Sequence, residues 1–573
     1  MTDRFFVFFA INLTACLLCI DTANGLSLHH LSASLITSFI LSWPTSYIKN
    51  FKIRVITQIL LGLPFLTICI VDCYCQEFFG TQVSPQILSS ITLSNPSEIS
   101  EFLSTYLGLQ ILKHWRITLL LLLTLLLPFC LFFRIKCSRD RVFSMALIPV
   151  VAINLLYELV PSYRYLQLYL YGKDLQNLEG LIFRHYHEEV PTPIHRLAFA
   201  YFSLKKSALV LNKIKRSTIT AQIENCSFLS PHIILIIGES FNKHHSSLYG
   251  YTLSTTPLQK NRMSAGELFA FTDVVTPWNI TSNVFLNIFS TWEYGDQGGV
   301  ETYPLFPILF RRAGYSVNFF SNQYLLSGFL KGATNQAGHF FLSDMELSNH
   351  LFTYRNRRKV KYDMGLVKEV KQNKQDLNQA FTLDIIHLIG QHFDYKQRYP
   401  REIAFFSIND YSNRNLDHYE KRVLMHYDNA TRYNDVVVDS LIRLYEQDDA
   451  VIVFLSDHGE EVYDDFPIHG RLFQSPTSLQ ARNEYEVPMW IWLSERYKIN
   501  HPNIVSAIRS SLNKPFLTDG IPQVLLFLAG IKCKWTSEQR NILSPQYDPK
   551  PRIIGGNVDY DIIIKDTINR VNK

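Results

Sequence analysis

The chain opens with long apolar stretches and then changes to short apolar runs that alternate with longer amphipathic segments. Five early stretches each approach the roughly 20 residues needed to cross the apolar core of a bilayer; they cover residues 5–20, 28–48, 55–71, 117–133 and 142–159. This pattern predicts a five-helix transmembrane domain over residues 1–160. Residues from about 74 to 112 are predicted to form a loop on the outer side of the membrane.

The basic residues between the apolar stretches predict the orientation. Lys49, Lys52 and Arg54 join spans two and three, and residues 134–141 between spans four and five carry four more basic side chains. Basic loops stay on the cytoplasmic side, so everything after span five is predicted to lie outside. No predicted span has an ionisable residue near its middle, which favours an anchor over a transporter.

After residue 230 the pattern is typical of an α/β domain. Continuous apolar runs at residues 232–238, 315–320, 383–389 and 451–455 have the length and composition of strands buried on both faces. Helical patterns such as 423–445 separate them. We expect a mostly parallel, helix-covered sheet over residues 231–573, joined to the membrane part by interfacial helices over 161–230.

Polar residues follow two of these predicted strands directly. Glu239 and Ser240 follow the first, and Asp457 and His458 follow the last. Carboxylate and imidazole groups at the carboxyl ends of parallel strands predict a site for a zinc-like ion, although either end alone could be a capping group.

Three further histidines follow or lie within the same sheet. His392 and His469 lie in loops beside glycine, so they are either surface residues or groups that contact a phosphate. His387 falls inside a predicted strand, where simple packing is the alternative.

Composition narrows the function further. The formal net charge is only +5 and the basic residues are scattered, so nucleic acid is not a predicted partner. Only Cys226 and Cys533 lie beyond the apolar region, so at most one disulfide is predicted there. Cys73 and Cys75 have no second ligand pair, which favours apolar packing over a zinc site.

Ordered motifs run through most of the chain, and together they resemble one family. They are Gly238-Glu239-Ser240, Ser247 to Tyr251, Thr255-Thr256-Pro257, Arg312 to Tyr315, Ser321-Asn322-Gln323, Tyr427 to Ala430, Ser456 to Glu460, His469-Gly470, Val487-Pro488, and in the membrane part Phe79-Gly80-Thr81 and Asn95 to Glu98. The chain resembles the phosphoethanolamine transferases of Gram-negative inner membranes, which belong to the alkaline phosphatase and sulfatase superfamily.

The resemblance implies a zinc-dependent transferase with its catalytic domain in the periplasm. A threonine alkoxide would attack phosphatidylethanolamine, hold phosphoethanolamine as a covalent ester and pass it to lipopolysaccharide (a core sugar or lipid A) or another periplasmic glycan. It implies metal binding by Glu239, Asp457, His458 and the nucleophile, and contacts from His392 and His469 to the phosphoryl group or to a second metal ion. Lys243 occupies the place of the family's basic residue after the Glu-Ser pair.

The nucleophile is expected within residues 276–283, and Thr281 is the preferred candidate. It lies at a predicted helix N-terminus, where backbone N–H groups favour a phosphate. Ser282 and Thr276 are the alternatives, with Ser282 otherwise expected to contact the substrate. A purely capping role for Thr281 is the competing interpretation.

Three other functions stay open or are set aside. A phosphoglycerol transferase of the teichoic-acid synthase type would share the anchor and the threonine chemistry. A catalytically inactive membrane sensor or scaffold would share the fold, whereas a sulfatase would need a Cys/Ser-x-Pro-x-Arg motif, which is absent near Thr281. A monomer is expected, and the acceptor does not follow from the sequence.

Overall fold

The structure is a computed structural model that describes residues 5–20, 28–79, 82–83, 87–88, 109–132, 146–157, 192–323, 341–356, 358–377, 379–472 and 475–571. It divides into two compact units, Met1–Ala208 and Leu209–Lys573. The three-part division at residues 160 and 230 stays a prediction, because residues 158–191 lie outside the described part.

The first unit is helical at all five predicted spans. Its helices are α1 (Phe5–Leu18), α2 (Leu28–Ser42), α3 (Phe51–Phe79), α4 (Trp115–Phe132) and α5 (Ala146–Tyr157), and α6 (Pro193–Ile219) runs across the boundary between the units. Among the described residues, only α3 and α4 are long and apolar enough to cross a membrane. A five-helix anchor is therefore not confirmed by helix length.

Helix α3 extends eight residues beyond the predicted span, so the start of the predicted outer loop is helical. The extension includes Asp72, which is fully buried and accepts a hydrogen bond from Arg196 Nε at 2.8 Å. A buried charge of this kind is tolerated when it is paired and hydrogen-bonded. The Asn95 to Glu98 motif lies outside the described residues.

The second unit contains a seven-stranded sheet. Its strands are β2 (His232–Gly238), β3 (Leu268–Phe271), β5 (Ser316–Ser321), β6 (Tyr354–Arg355), β7 (Thr382–His387), β8 (Ala450–Ser456) and β11 (Met489–Leu493), in the order β3-β11-β8-β2-β7-β5-β6. Only β11 runs antiparallel to its neighbours. The predicted mostly parallel sheet is confirmed.

Helices cover this sheet, and short two-stranded pairs complete the unit. The helices are α7 (Pro257–Ser264), α8 (Thr281–Phe289), α9 (Phe306–Ala313), α10 (Met345–Leu351), α11 (Asp363–Leu377), α12 (His418–Arg443), α13 (Ser478–Gln480), α14 (Glu495–Asn500), α15 (Pro502–Arg509), α16 (Ile521–Ala529) and α17 (Tyr560–Val571). The short strands are β1 (Asn225–Cys226), β4 (Val274–Val275), β9 (Glu461–Val462), β10 (His469–Gly470), β12 (Phe516–Leu517), β13 (Ile531–Lys532), β14 (Ile553–Ile554) and β15 (Val558–Asp559).

The two cysteines of the second unit are both free thiols. Cys226 faces Ile531 in the antiparallel β1–β13 pair, and Cys533 lies two residues further along. The one disulfide that the sequence permits is therefore not formed.

The hydrophobic core lies between the central strands and helices α11 and α12. It includes Ile234, Val438 and Phe454, all fully buried, and the rings of Phe454 and Trp490 stack with centroids 4.8 Å apart. This packing fixes strands β2 and β8 side by side, and so fixes the residues that follow them.

Candidate active site

The site begins where β2 and β8 end, because these strands are parallel neighbours. Gly238 is paired with Ser456, so the next residues, Glu239 and Asp457, emerge together at the carboxyl edge of the sheet. Ser240 follows with a left-handed φ of 56°, a costly conformation for a residue with a side chain. Tyr427 of α12 holds this turn, since its hydroxyl donates to Ser240 O at 2.6 Å and accepts from Asn242 N at 2.8 Å.

Glu239, Asp457 and His458 lie close enough together to bind one metal ion. One ligand atom from each is within 4.8 Å of the others, and all three side chains are fully buried. Thr281 Oγ1 lies 3.3 Å from Glu239 Oε1 and 3.2 Å from His458 Nε2. The structure thus brings four predicted site residues together.

The tautomer of His458 follows from its contacts. Its Nδ1 lies 2.7 Å from Gly459 O, which can only accept, so Nδ1 carries the proton. Nε2 is then an acceptor, and Arg471 Nη1 donates to it at 2.7 Å. His458 therefore presents a lone pair toward Thr281 and Glu239, as a metal ligand must.

Asp457 presents one oxygen to the protein and one to the site. Its Oδ1 accepts hydrogen bonds from the backbone N–H of His458 at 2.7 Å and of Ser240 at 3.1 Å. Its buried Oδ2 has no hydrogen-bond partner. An unsatisfied carboxylate oxygen beside a second carboxylate, a histidine lone pair and a hydroxyl fits a zinc-like cation, because lone pairs converge there with few protons between them.

The two carboxylates also perturb each other. Burial, together with the charge on Glu239, raises the pKa of Asp457 well above its usual range. Burial also opposes ionisation of Glu239, but contacts with His387 and His458 hold the pKa of Glu239 well below its usual value. Without a cation only one of the two carboxylates is stable in its ionised form; a cation would stabilise both.

Thr281 is the first residue of α8, and its side chain does not cap the helix. The residue before it, Ile280, is the N-cap, with extended backbone and no side-chain capping bond. The Thr281 hydroxyl instead points at Glu239 and His458, so the capping interpretation is wrong. Thr276, one alternative nucleophile, accepts from Thr518 Oγ1 at 3.4 Å. Ser282 is half-buried next to Thr281, and within the described part of the chain its hydroxyl makes no hydrogen bond to Glu239, Asp457 or His458, the metal-binding group.

His392 lies in a loop that wraps around Glu239. Gln391 N donates to Glu239 O at 3.0 Å, and a Cβ at Gly390 would lie 2.9 Å from the same oxygen, so only glycine allows this approach. Burial lowers the pKa of His392 to about 3, and its Nδ1 is buried without a hydrogen-bond partner. A neutral, unsatisfied imidazole beside the site is available to a ligand.

His469 and Lys243 are positioned differently from each other. His469 Nδ1 lies 2.9 Å from the Tyr463 hydroxyl, and burial lowers the pKa of His469 to about 4. It lies in β10, two residues before Arg471. Lys243 turns elsewhere: its Nζ donates to Thr272 O at 2.6 Å and lies 3.7 Å from Glu486. Among the described residues, Lys243 makes no hydrogen bond or ion pair with the metal-binding group, and its predicted contact with the substrate stays a prediction.

Three residues at the site were not predicted from the sequence. Gln323 Nε2 donates to Glu239 Oε2 at 2.9 Å, and His387 Nε2 lies 3.6 Å from the same oxygen. Arg471 contacts His458. Gln323 ends a motif and follows a predicted strand, so its position in the sequence could have indicated a site residue. Arg471 follows His469-Gly470 directly, but a single basic residue in a loop does not indicate a site residue.

Residues 231–515 match the family model described as Sulfatase. These residues form a sulfatase-family domain. The chain is 27% identical over 539 residues to phosphoethanolamine transferase EptC of Escherichia coli O18:K1:H7, covering 90% of this chain and 87% of that protein. The predicted resemblance to the phosphoethanolamine transferases is confirmed.

Two solved structures are similar in fold. The periplasmic C-terminal domain of Escherichia coli EptC in complex with Zn matches with a TM-score of 0.52 and 26% identity, covering 60% of this chain and 97% of that domain. The integral membrane protein EptA of Neisseria meningitidis matches with a TM-score of 0.55 and 16% identity, covering 92% of this chain and 97% of that protein. The fold similarity therefore extends over both units.

Proposed function

We propose that this protein is a zinc-dependent phosphoethanolamine transferase of the bacterial inner membrane. It takes phosphoethanolamine from phosphatidylethanolamine and transfers it to lipopolysaccharide, at a core sugar or lipid A, or to another periplasmic glycan. Five membrane-spanning helices anchor it as a monomer, and the second unit lies in the periplasm. The relatives named phosphoethanolamine transferase support the donor headgroup.

One observation carries the proposal: a threonine hydroxyl is surrounded by acceptors. Thr281 Oγ1 lies within 3.4 Å of both Glu239 carboxylate oxygens and within 3.2 Å of His458 Nε2, and it has a single proton to share among them. A hydroxyl serving only to stabilise the fold needs one acceptor, not three. This arrangement suits a nucleophile whose proton is to be lost.

Glu239, Asp457, His458 and Thr281 would hold the zinc ion, which would lower the pKa of the threonine hydroxyl and offset negative charge on the phosphoryl oxygens. Thr281 is the first residue of helix α8, and the N-terminus of a helix favours a phosphate. His392 and His469, both neutral at pH 7, are proposed to donate hydrogen bonds to the phosphoryl group, and Ser282 to contact the substrate.

The transfer proceeds in two displacements. In the first, a bond forms between Thr281 Oγ1 and phosphorus, the bond to the glycerol oxygen breaks, and diacylglycerol leaves with the threonine proton. In the second, an acceptor oxygen attacks phosphorus, the bond to Thr281 breaks, and the acceptor's proton returns to the threonine. Both halves need the same polarising residues, so one site performs both.

The competing functions differ in measurable ways. A phosphoglycerol transferase would use phosphatidylglycerol as donor, and an inactive scaffold would use neither lipid. The scaffold is disfavoured because two buried carboxylates side by side are costly to keep without a cation.

The test uses the full-length chain in detergent micelles with zinc. We expect diacylglycerol release and a mass increase of one phosphoethanolamine on the protein with phosphatidylethanolamine, and neither with phosphatidylglycerol. The reverse donor preference would establish the phosphoglycerol transferase. If neither lipid gave an adduct, the inactive scaffold would be the remaining function. Comparison of lipopolysaccharide and glycan masses from cells with and without the protein identifies the acceptor.

A further inference from the structure

Arg471 is bound to the residue that the metal ion is proposed to use. Its Nη1 donates to His458 Nε2 at 2.7 Å and to Asn279 O at 3.2 Å. A guanidinium cannot lose its proton in a protein, so this group competes with any cation for the same lone pair. Its charge also repels a cation at that position.

The loop that carries Arg471 is held firmly by its neighbours. Leu472 N donates to Glu484 Oε1 at 2.9 Å, and Leu472 O accepts from Asn279 Nδ2 at 2.7 Å. Gln480 Nε2 donates to the same carbonyl at 2.7 Å. The backbone is therefore fixed next to the site, while the long arginine side chain can still change its direction.

A second acceptor for Arg471 lies close by. Glu460 Oε2 is 3.6 Å from Arg471 Nε, which is an ion-pair distance but longer than a hydrogen bond. This oxygen is buried and has no hydrogen-bond partner, whereas Oε1 of the same residue accepts from the Tyr395 hydroxyl at 2.7 Å. A small movement of the guanidinium would satisfy Glu460 and release His458.

The Nη2 edge of the Arg471 guanidinium remains available to a ligand. The Arg471 side chain is 17% exposed, and its Nη2 makes no hydrogen bond within the part of the chain that the structure describes. Planar guanidinium groups bind phosphoryl oxygens through two parallel N–H bonds. Arg471 thus lies next to Thr281 and His458 with donors that a phosphate could use.

We propose that Arg471 is a further substrate-binding residue that changes partner during loading: it holds His458 Nε2 until a cation takes that nitrogen, then pairs with Glu460 and offers its free N–H groups to the phosphoryl oxygens of the donor. This inference rests on the proposed function for the identity of the phosphoryl donor. It makes an unusual prediction, because removing Arg471 should strengthen metal binding while weakening phosphate binding.

The test measures zinc affinity of the full-length chain by competition with a chelator, and binding of inorganic phosphate to the zinc-loaded chain. In Arg471→Met we expect zinc to bind about fivefold more tightly, since a like charge is removed. Phosphate should bind about tenfold more weakly, because a charge-assisted pair of hydrogen bonds is lost. Arg471→Lys, which keeps the charge but loses the planar fork, should fall between on both measurements.

Arg482→Met is the matched control, because Arg482 is 49% exposed and forms its ion pair with Asp465. It should change neither affinity. Weaker or unchanged zinc binding in Arg471→Met, or unchanged phosphate binding, would overturn the inference. Tighter zinc binding together with weaker phosphate binding in Arg482→Met would also overturn it. If Arg471→Met does not fold, Arg471→Lys decides by the same criteria. Headgroup transfer by the wild-type protein is scored separately, so failure of the proposed function leaves the two affinities interpretable.

Discussion

At the scale of the residue, the proposed chemistry depends on one hydroxyl. Thr281→Ala removes the one hydroxyl among the four residues proposed to hold the zinc ion, so we expect loss of the covalent adduct and a fall in transfer of at least about a thousandfold. Zinc should still bind through Glu239, Asp457 and His458. Intact-mass analysis after incubation with phosphatidylethanolamine and metal analysis of the same sample check both points.

Ser282→Ala is the control for this substitution, since Ser282 is the adjacent hydroxyl on the same helix. It should keep the adduct. An adduct that persists in Thr281→Ala and disappears in Ser282→Ala would transfer the nucleophilic role to Ser282.

A second residue-scale prediction concerns His245, which lies outside the metal-binding group. Its ring donates to Asp428 at 2.7 Å and to Asp464 at 2.8 Å, and Arg414 also pairs with Asp464. Tyr251 and Tyr411 donate to Asp428. Burial alone would lower the pKa of His245, but the two carboxylates raise it from 6.5 to about 10.

The sign of the effect on stability follows from this shift. The folded protein keeps the His245 proton between about pH 6.5 and 10, whereas the unfolded chain has lost it. The contribution of the His245 ion pairs to the free energy of unfolding is therefore complete below pH 6.5. It is lost as the pH rises to about 10, at up to about 1.4 kcal/mol per pH unit. Thermal unfolding of the wild type should shift to lower temperature over that window.

His245→Gln should unfold at lower temperature at pH 7 and should show a flatter profile between pH 6.5 and 10. Its difference from the wild type should shrink as the pH approaches 10. Parallel profiles for the two proteins would mean that His245 is not the titrating group.

At the scale of the element, the strand that carries Glu239 needs support from a helix. Tyr427 on α12 bonds both Ser240 O and Asn242 N, and Tyr427→Phe leaves two buried backbone groups unsatisfied. We expect a loss of about 2 kcal/mol in the free energy of unfolding. Zinc affinity should fall as well, because the turn at Ser240 positions Glu239.

Tyr445→Phe is the matched control for that prediction. Its hydroxyl donates to Asp384 Oδ2 at 2.7 Å, so the substitution also removes a buried hydrogen bond, but one that does not hold the turn at Ser240. Both variants should lose stability, and only Tyr427→Phe should lose zinc affinity. Equal zinc affinities would show that the turn is positioned without Tyr427.

The regular elements of the second unit were predictable because their signals are local. All four predicted strands exist, with ends that differ by at most two residues from the predicted ones. Helix α12 begins at His418, five residues before the predicted start, because Asp417 and Glu420 form a capping box that was not recognised. The strands β3, β6 and β11 lacked a decisive signal, as short apolar runs do not separate strands from helices.

The site was predictable from local signals where its residues directly follow a strand or begin a helix, as Thr281 does. Glu239, Asp457 and His458 occupy such positions, and the pairing of β2 with β8 brings them together. His387 was left open between a site role and simple packing because it lies within β7, and it contacts Glu239. Arg471 depends on tertiary folding of the loop after β10, which no local pattern encodes. The substrate contact predicted for Lys243 stays a prediction; in the structure its Nζ donates to Thr272 O at 2.6 Å.

At the scale of the whole molecule, the sequence predicts which side of the membrane each part occupies. The loop between spans two and three carries Lys49, Lys52 and Arg54 and is predicted to be cytoplasmic. The second unit is predicted to lie in the periplasm. The structure offers exposed positions in both regions, since Lys52 is exposed and Ile499 is 77% exposed.

Single cysteine variants with a membrane-impermeant maleimide test this arrangement in intact cells whose outer membrane has been made permeable. We expect Ile499→Cys to be labelled at once, because it lies on the unit that is predicted to face the periplasm, and Lys52→Cys to be labelled only after the inner membrane is lysed. Six of the eight described cysteines are buried, and the parent chain measures the background labelling from all nine native cysteines. Labelling of Lys52→Cys before lysis would place the basic loop outside, which would reverse the topology and separate the catalytic unit from every periplasmic acceptor.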